Sequence, residues 1–202
     1  MAWNQPVTIA SIVEGEGEVK AVPKLLYRLA REFSVPDLRV PEPMRVPRGR
    51  LVAAGQLERA VSAAAGRIDK AGGILVVLDA DDDCPAQLGP ALLARAQSAR
   101  SDLAMAVVLA NREFESWFLA AAVSLAGKHG FPEDLTPPGD PEGIRAAKEW
   151  LSRNRQSGRP YKPTADQALL TSVFDLKQAR AHAPSFDKFC RDIEALFGSA
   201  YR

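Results

Sequence analysis

Apolar residues follow two rhythms along the chain: short unbroken runs, and longer stretches where they recur every three or four positions. The run "PVTIASIV" (6–13) is short, rich in β-branched residues and stopped by Gly15, which predicts a buried strand. From Val19 the spacing changes. Val22, Leu25, Leu26, Leu29 and Phe33 fall on one face of a helix, with Pro23 near its first turn. "DLRV" (37–40) reads as a short second strand, and "PEPMRVPRGR" (41–50), with three prolines and three arginines, as an irregular loop. Residues 55–70 predict an amphipathic helix that ends before Gly72-Gly73. "GILVVLD" (73–79) is apolar on both faces, as in the central strand of a parallel sheet. A helix over 86–100, a strand "DLAMAVVLA" (102–110) and a helix "EFESWFLAAAVSLAG" (113–127) follow.

Strands alternating with helices predict an α/β core over 1–127 with a mostly parallel sheet. The pattern then changes. "HGFPEDLTPPGDPEG" (129–143) reads as a linker or long loop, followed by helical stretches near 142–154, 164–172 and 184–197 and no strand. Residues 128–202 are therefore expected to form a linker and a helical C-terminal extension packed on the core. There is no internal repeat and no low-complexity tract.

Composition narrows the class. With 202 residues, 47% apolar and 25% charged, the chain has the make-up of an ordinary globular protein. A net charge of +1 argues against a strongly basic nucleic-acid wrapper but not against a local basic patch. Cys84 and Cys190 form neither a metal-binding spacing nor a disulfide framework. "MAWNQPVTIA" lacks the basic and apolar regions of a secretory signal, and no apolar run approaches the ~20 residues of a membrane helix. No membrane association is expected, and the expected location is the cytoplasm, with reduced thiols.

Two of the apolar strands end in acids. Glu14 follows Val13, with Glu16 and Glu18 at alternate positions; Asp79, Asp81, Asp82 and Asp83 follow Leu78. In parallel α/β sheets, sites form beyond the carboxyl ends of strands. If the two strands are parallel neighbours, Glu14, Asp79 and Asp81 converge, and extended backbone would point 79 and 81 the same way. Clustered carboxylates raise one another's pKa, a repulsion that a hard divalent cation such as Mg²⁺ removes. Gly15 and Gly17 would let backbone approach a phosphate closely. The plainer reading is a solvated turn: Glu18 sits where a helix starts, a favourable place for an acid with no function, and Glu16 points to solvent.

Other motifs fail. "GEGEVK" has Lys20 where a dinucleotide fingerprint needs its third glycine. "DADDDCPAQLGP" has Cys84 and Pro90 where a calcium loop needs glycine and glutamate. There is no GxxxxGK[ST], and His129 and His182 stand alone.

A strand followed by "VEG" and a glutamate, then a strand ending in D-x-D, resembles the Toprim domain of topoisomerases, primases and nucleases of the overcoming-lysogenization-defect type. "IVEGEGEVKAVPKLL" is most similar to the nuclease version, and "VVLDADDD" to its second acidic motif. "VVLANREFESWFLAAAVSL" (107–125) and "YKPTADQALLTSVFD…APSFDKF" (161–189) resemble a bacterial family of stand-alone Toprim-like proteins, the domain of unknown function 4276. The resemblance covers most of the chain and implies a Toprim-like, Rossmann-like sheet flanked by helices. It makes Glu14 a metal ligand or general acid/base, and Asp79 and Asp81 a metal-binding pair. A further acid comes from "REFESW", where Glu115 is favoured over Glu113. These two lie about 200° apart on a regular helix, so both reach one ion only if the helix starts after Glu113. Glu18 and Asp83 are further candidate acids. Gly17 departs from the family pattern by replacing a threonine.

Such a site would take Mg²⁺ or Mn²⁺ and hydrolyse phosphodiesters of DNA or RNA. Arg45, Arg48 and Arg50, with Arg39, line the proline-rich loop, and Lys148, Arg153, Arg155, Arg159 and Lys162, around Tyr161, form a second basic stretch. Arg45, Arg48, Arg50 and Arg159 are the candidates to hold nucleic-acid phosphates, and Lys162 to stabilise developing charge. Solvated loop charges are the plain alternative. Trp117, Phe118, Phe186 and Phe189 read as core and Ser185 as a helix N-cap. The resemblance also implies an ATPase partner in phage defence. Two other readings stay open: a non-catalytic metal- or phosphate-binding subunit acting through a partner such as an ATPase, and a scaffold with a degenerate site.

Overall fold

All seven residues of β1 (Val7–Val13) are buried, as happens to a strand whose sheet is covered by helices on both faces. The computed structural model describes residues 6–69, 71–156 and 158–199. The first five residues, read above as part of a segment lacking a secretory signal, and Lys70, read as the end of a helix, lie outside the described residues.

After β1 come α1 (Glu16–Glu32), β2 (Leu38–Arg39), β3 (Met44–Arg45), α2 (Arg48–Val52), α3 (Gln56–Ala65), β4 (Ala71–Asp79), α4 (Pro85–Ala99) and β5 (Ala104–Ala110). Then α5 (Ser116–Ala120), α6 (Ala122–Leu125) and α7 (Ala147–Arg153) lead to a π-helical turn (Pro163–Gln167) continuous with α8 (Ala168–Val173), followed by α9 (Leu176–His182) and α10 (Pro184–Ser199). Every strand pairing is parallel, in the order β2-β1-β4-β5, with β3 also on β1. The chain thus forms the expected α/β fold, a parallel sheet flanked by helices with helices at its C-terminus.

Alternation along the strands sorts the apolar residues into two cores. Val7, Ile9, Val13, Leu75, Val77 and Val108 face α1, α10 and a set of buried aromatics; Ile12, Ile74, Val76, Leu78, Val107 and Leu109 face residues of α2, α3 and α4. Trp117, Phe118, Phe186 and Phe189 are all fully buried, with the Trp117 ring 5.1 Å from Phe186 and 5.2 Å from Phe189. Phe131 and Leu135, from the segment read as a linker, belong to the same core. No helix among the described residues is long and apolar enough to cross a membrane. Both cysteines are free.

Several elements differ from the sequence expectation. β4 begins at Ala71 because Gly72 is a packing residue and not a stop: a Cβ there would lie 2.0 Å from the Thr8 carbonyl oxygen on β1. The helix expected over 55–70 ends at Ala65. Within the expected loop 41–50, Met44–Arg45 pairs with Ile12–Val13 between two prolines, which an edge strand tolerates, and α2 begins at Arg48. The helix expected over 113–127 is two short helices that begin at Ser116 and break at Ala121. α1 begins at Glu16, so Pro23 lies inside it and offers no N–H to the Val19 carbonyl. α9 was not anticipated, although its Asp175 N-cap accepts the Gln178 N–H at 2.8 Å. Ser185 is not an N-cap: it lies inside α10, and its Oγ accepts from Trp117 Nε1 (2.8 Å) and the Asn111 N–H (3.2 Å). Buried Glu142 takes the capping role, accepting the Ser185 N–H at 3.0 Å and its hydroxyl proton.

Gly17 joins the start of α1 to the π-helical turn. A Cβ at this position would meet Gln167 Oε1 at 2.0 Å and the Pro163 carbonyl oxygen at 2.8 Å. The glycine serves contact within the chain and not access for a phosphate, and the threonine of the resembling family has no room here. Gly17→Ala is expected to destabilise the protein by about 1–3 kcal/mol through overpacking, read as a lower urea midpoint at unchanged slope; an unchanged midpoint would show that the two segments separate freely.

Candidate functional site

The parallel register sets Val13 beside Val77 and Asp79 beside Ala110, so β1, β4 and β5 end at one edge of the sheet. Hydrogen bonds tie the three ends together. The Asp79 N–H donates to Glu14 Oε2 at 3.3 Å, and Asp79 Oδ1 accepts the Phe114 N–H at 2.8 Å. Glu18, in the first turn of α1, accepts the Gly15 N–H at 2.5 Å and is buried; Glu16 is exposed.

The segment after β5 adds two acids and their counter-ion. Because α5 begins at Ser116, Glu113 and Glu115 both precede the helix, and both reach the ammonium of Lys148, at 2.9 Å and 3.2 Å. Glu115 is 1% exposed; Tyr161 O–H donates to its Oε1 at 2.9 Å, and its Oε2 has no hydrogen-bond partner. Glu14, Glu18, Asp79 and Glu115 thus come from three separate stretches of chain and influence one another's charge.

Burial is the largest cause of the shift in each acid. It pushes Asp79 well above the carboxylate range, helped by the charges of Glu115 and Glu18 and opposed by Lys148. Burial raises Glu115 against the pull of Lys148 and the Tyr161 hydroxyl. It raises Glu14 against the Asp79 N–H, and Glu18 against the Gly15 N–H. For Lys148, burial favours the neutral amine, but Glu115, Glu113 and Asp79 outweigh it and hold the ammonium charged.

The Asp81–Asp83 turn is held by arginines beside the cluster, although the charge of Asp81 still reaches Glu14 and helps burial to raise it. The Ala80 N–H still bonds to the Ala110 carbonyl, at 2.9 Å, but Asp81 turns into left-handed backbone at φ 51°. The alternation that would aim residues 79 and 81 together therefore fails. Asp81 is exposed and pairs with Arg48 Nε at 3.3 Å; Asp83 pairs with the same guanidinium, and Asp82 with Arg112 and Arg145. Arg48 also donates to the Asp79 and Ala80 carbonyls, at 3.1 and 3.3 Å, which fixes the loop beside the acids.

The basic residues divide into two groups. Arg45 pairs in register with Val13, next to Glu14; it and Arg50 are exposed with no ion pair among the described residues. Arg159 Nη2 and Arg155 Nη1 grip buried Asp166 at 2.8 and 3.1 Å, and Arg155 lies 5.4 Å from the Phe131 ring and 5.8 Å from the Tyr161 ring. Burial alone would raise Asp166, but Arg155, the Lys162 N–H and Arg159 hold it below the usual range. The Lys162 side chain is exposed without an ion pair among the described residues; its backbone N–H donates to Asp166 at 2.8 Å. Lys148 is the cation inside the cluster. Its partnership with "REFESW", and the roles of Tyr161 and Asp166, are not visible in the sequence, because nothing local announces that Lys148, Tyr161 and Asp166 return to the sheet edge.

These features define an α/β protein with a carboxylate-rich site beyond the carboxyl ends of a parallel sheet. Residues 13–194 match the family described as domain of unknown function (DUF4276), and the chain belongs to that family. A search of curated proteins and a search of solved structures each returned no match.

The raised acids bind more protons folded than unfolded between their ordinary values, 3.8 for Asp and 4.5 for Glu, and their raised ones. Their cost to stability is full above that window and is relieved as pH falls through it. In chelator, Tm is expected to rise as pH is lowered from neutral toward these ordinary values. Asp79→Asn, which keeps an oxygen for the Phe114 N–H, should add on the order of 1 kcal/mol at pH 7 and flatten the profile. Thermal unfolding across pH checks this, and equal profiles for the two proteins would contradict it.

Proposed function

We propose that the protein is a divalent-metal-dependent phosphodiester hydrolase, a DNA or RNA nuclease with a Toprim-type active site. The observation that carries this reading is the meeting of Glu14, Asp79 and Glu115 near one cation, with a buried Glu115 oxygen that accepts no hydrogen bond and faces only the Lys148 ammonium. Among the described residues, no three Asp, Glu, His or Cys side chains stand ready to hold a metal ion as they are. The donor set nevertheless fits a hard ion in kind: carboxylate oxygens only, surplus negative charge, and an ammonium already standing in as counter-ion.

Glu14, Asp79 and Glu115 would hold Mg²⁺ or Mn²⁺, with Glu113 beside them. The bound ion supplies an activated water and neutralises charge on the phosphodiester. Glu14 Oε2 is steadied by the Asp79 N–H, which leaves Oε1 to take the proton of the attacking water. Glu18 fixes the start of α1, and so the position of Glu14, through Gly15. Arg45 flanks the acids where phosphates of a strand would lie, and Arg48 would join it only by leaving Asp81 and Asp83. The order of acids, one after the first strand and one closing the central strand, supports kinship with the overcoming-lysogenization-defect nucleases, and with it a role in phage defence beside an ATPase.

One observation favours a second reading, a non-catalytic subunit that binds metal or phosphate for a partner: Asp81, the second acid of the D-x-D motif, is exposed and paired with Arg48.

Pure protein with Mn²⁺ or Mg²⁺ is expected to cut end-labelled DNA or RNA, and Asp79→Ala and Glu14→Ala to lower the rate about 100-fold or more. Cleavage that survives chelator or Asp79→Ala would contradict the proposal. Binding without cleavage, in wild type and variants alike, is the outcome expected of the second reading.

A further inference from the structure

We infer that the Lys148 ammonium is a built-in counter-ion, one that holds the carboxylate cluster together in the absence of metal and must leave it when a divalent cation binds. This rests on the proposed metal-binding reading and adds a competition that the reading does not require.

The competition follows from one oxygen atom. Glu115 is buried, and its Oε1 is occupied by the Tyr161 hydroxyl at 2.9 Å. Oε2 is the oxygen that accepts no hydrogen bond, and the Lys148 ammonium sits 3.2 Å from it. The same ammonium holds Glu113 Oε2 at 2.9 Å. An ion coordinated through Oε2, the oxygen free of hydrogen bonds, takes the position that Lys148 now faces, and a divalent charge there would repel the ammonium at close range.

Tyr161 makes the conflict hard to evade. Its backbone N–H donates to Ser152 Oγ at 2.9 Å, and the adjoining Lys162 N–H is held by Asp166, itself gripped by Arg155 and Arg159. Glu115 therefore cannot readily rotate to offer Oε1 in place of Oε2. Lys148 is the mobile member of the set. It lies in the first turn of short α7, its side chain is 37% exposed, and its flexible stem carries a point charge able to swing toward solvent. Metal binding then exchanges an internal cation for an external one, with Glu113 and Glu115 passing from one to the other.

The test is a calorimetric titration of the full chain with Mn²⁺, for wild type, Lys148→Met and Lys148→Arg, alongside melting curves in chelator and in Mn²⁺. Lys148→Met keeps an unbranched stem and removes the charge. It is expected to bind Mn²⁺ at least tenfold more tightly than wild type, to melt several degrees lower in chelator, and to gain more from Mn²⁺. Lys148→Arg retains the cation in a planar fork suited to two carboxylates, and is expected to bind Mn²⁺ more weakly than wild type. If wild type binds Mn²⁺ and both variants bind it equally well, or Lys148→Met binds more weakly, the competition is overturned while the metal site stands. Should Lys148→Met fail to fold, an affinity of Lys148→Arg equal to or above that of wild type overturns it alone. If no form binds Mn²⁺ or Mg²⁺, the metal-binding reading falls and this inference with it.

Discussion

Negative charge gathered where water is scarce is the constraint around which this protein is arranged. Glu14, Glu18, Asp79 and Glu115 are drawn together at the end of a parallel sheet, and burial pushes each of them toward its neutral form. An uncompensated buried charge is costly, so each carboxylate has a specific partner. Backbone N–H groups serve Glu14, Glu18 and Asp79; the Tyr161 hydroxyl and the Lys148 ammonium serve Glu115. Among the described residues, Glu115 is the one of these four acids with an ion pair, to the Lys148 ammonium that it shares with Glu113.

The C-terminal third of the chain supplies much of that compensation. The ends of β1, β4 and β5 bring the four acids to the sheet edge by themselves, but Lys148 and Tyr161 come from the segment that folds back over it. That segment is fastened by the Arg155–Asp166–Arg159 ion pairs, by the contact of Gly17 with Gln167, and by the aromatic cluster around Trp117, Phe186 and Phe189. Glu142 and Ser185 close the same layer by joining the start of α10 to Trp117 and Asn111. Packing far from the acids thus governs how they are held.

What was legible in the sequence was what is encoded locally. Unbroken apolar runs marked β1, β4 and β5, and because parallel strands end on one edge, the acids after Val13 and Leu78 could be placed together before any coordinates. What was not legible depended on contacts between distant segments. Asp81 looks equivalent to Asp79 in an extended chain, yet a left-handed turn, joined across the loop by the Asp81 N–H and the Arg112 carbonyl at 3.0 Å, sends it to Arg48. Gly72 and Gly73 look like a strand's beginning and prove to be its interior, since only the neighbours reveal why a side chain is excluded: Thr8 of β1 at Gly72, and Ala104 of β5 with Leu196 of α10 at Gly73. Lys148 and Lys162 belong to the same basic stretch, and no periodicity distinguishes the one that enters the acid cluster from the one that stays in solvent.

The most direct measurement is anomalous diffraction at the manganese edge from crystals of the protein grown with Mn²⁺. The expected result is a manganese peak bonded to carboxylate oxygens of Glu14, Asp79 and Glu115, with the Lys148 ammonium displaced from Glu115 Oε2. A map with no manganese among these acids, and Lys148 still bridging Glu113 and Glu115, would contradict the claim that the cluster is a cation site.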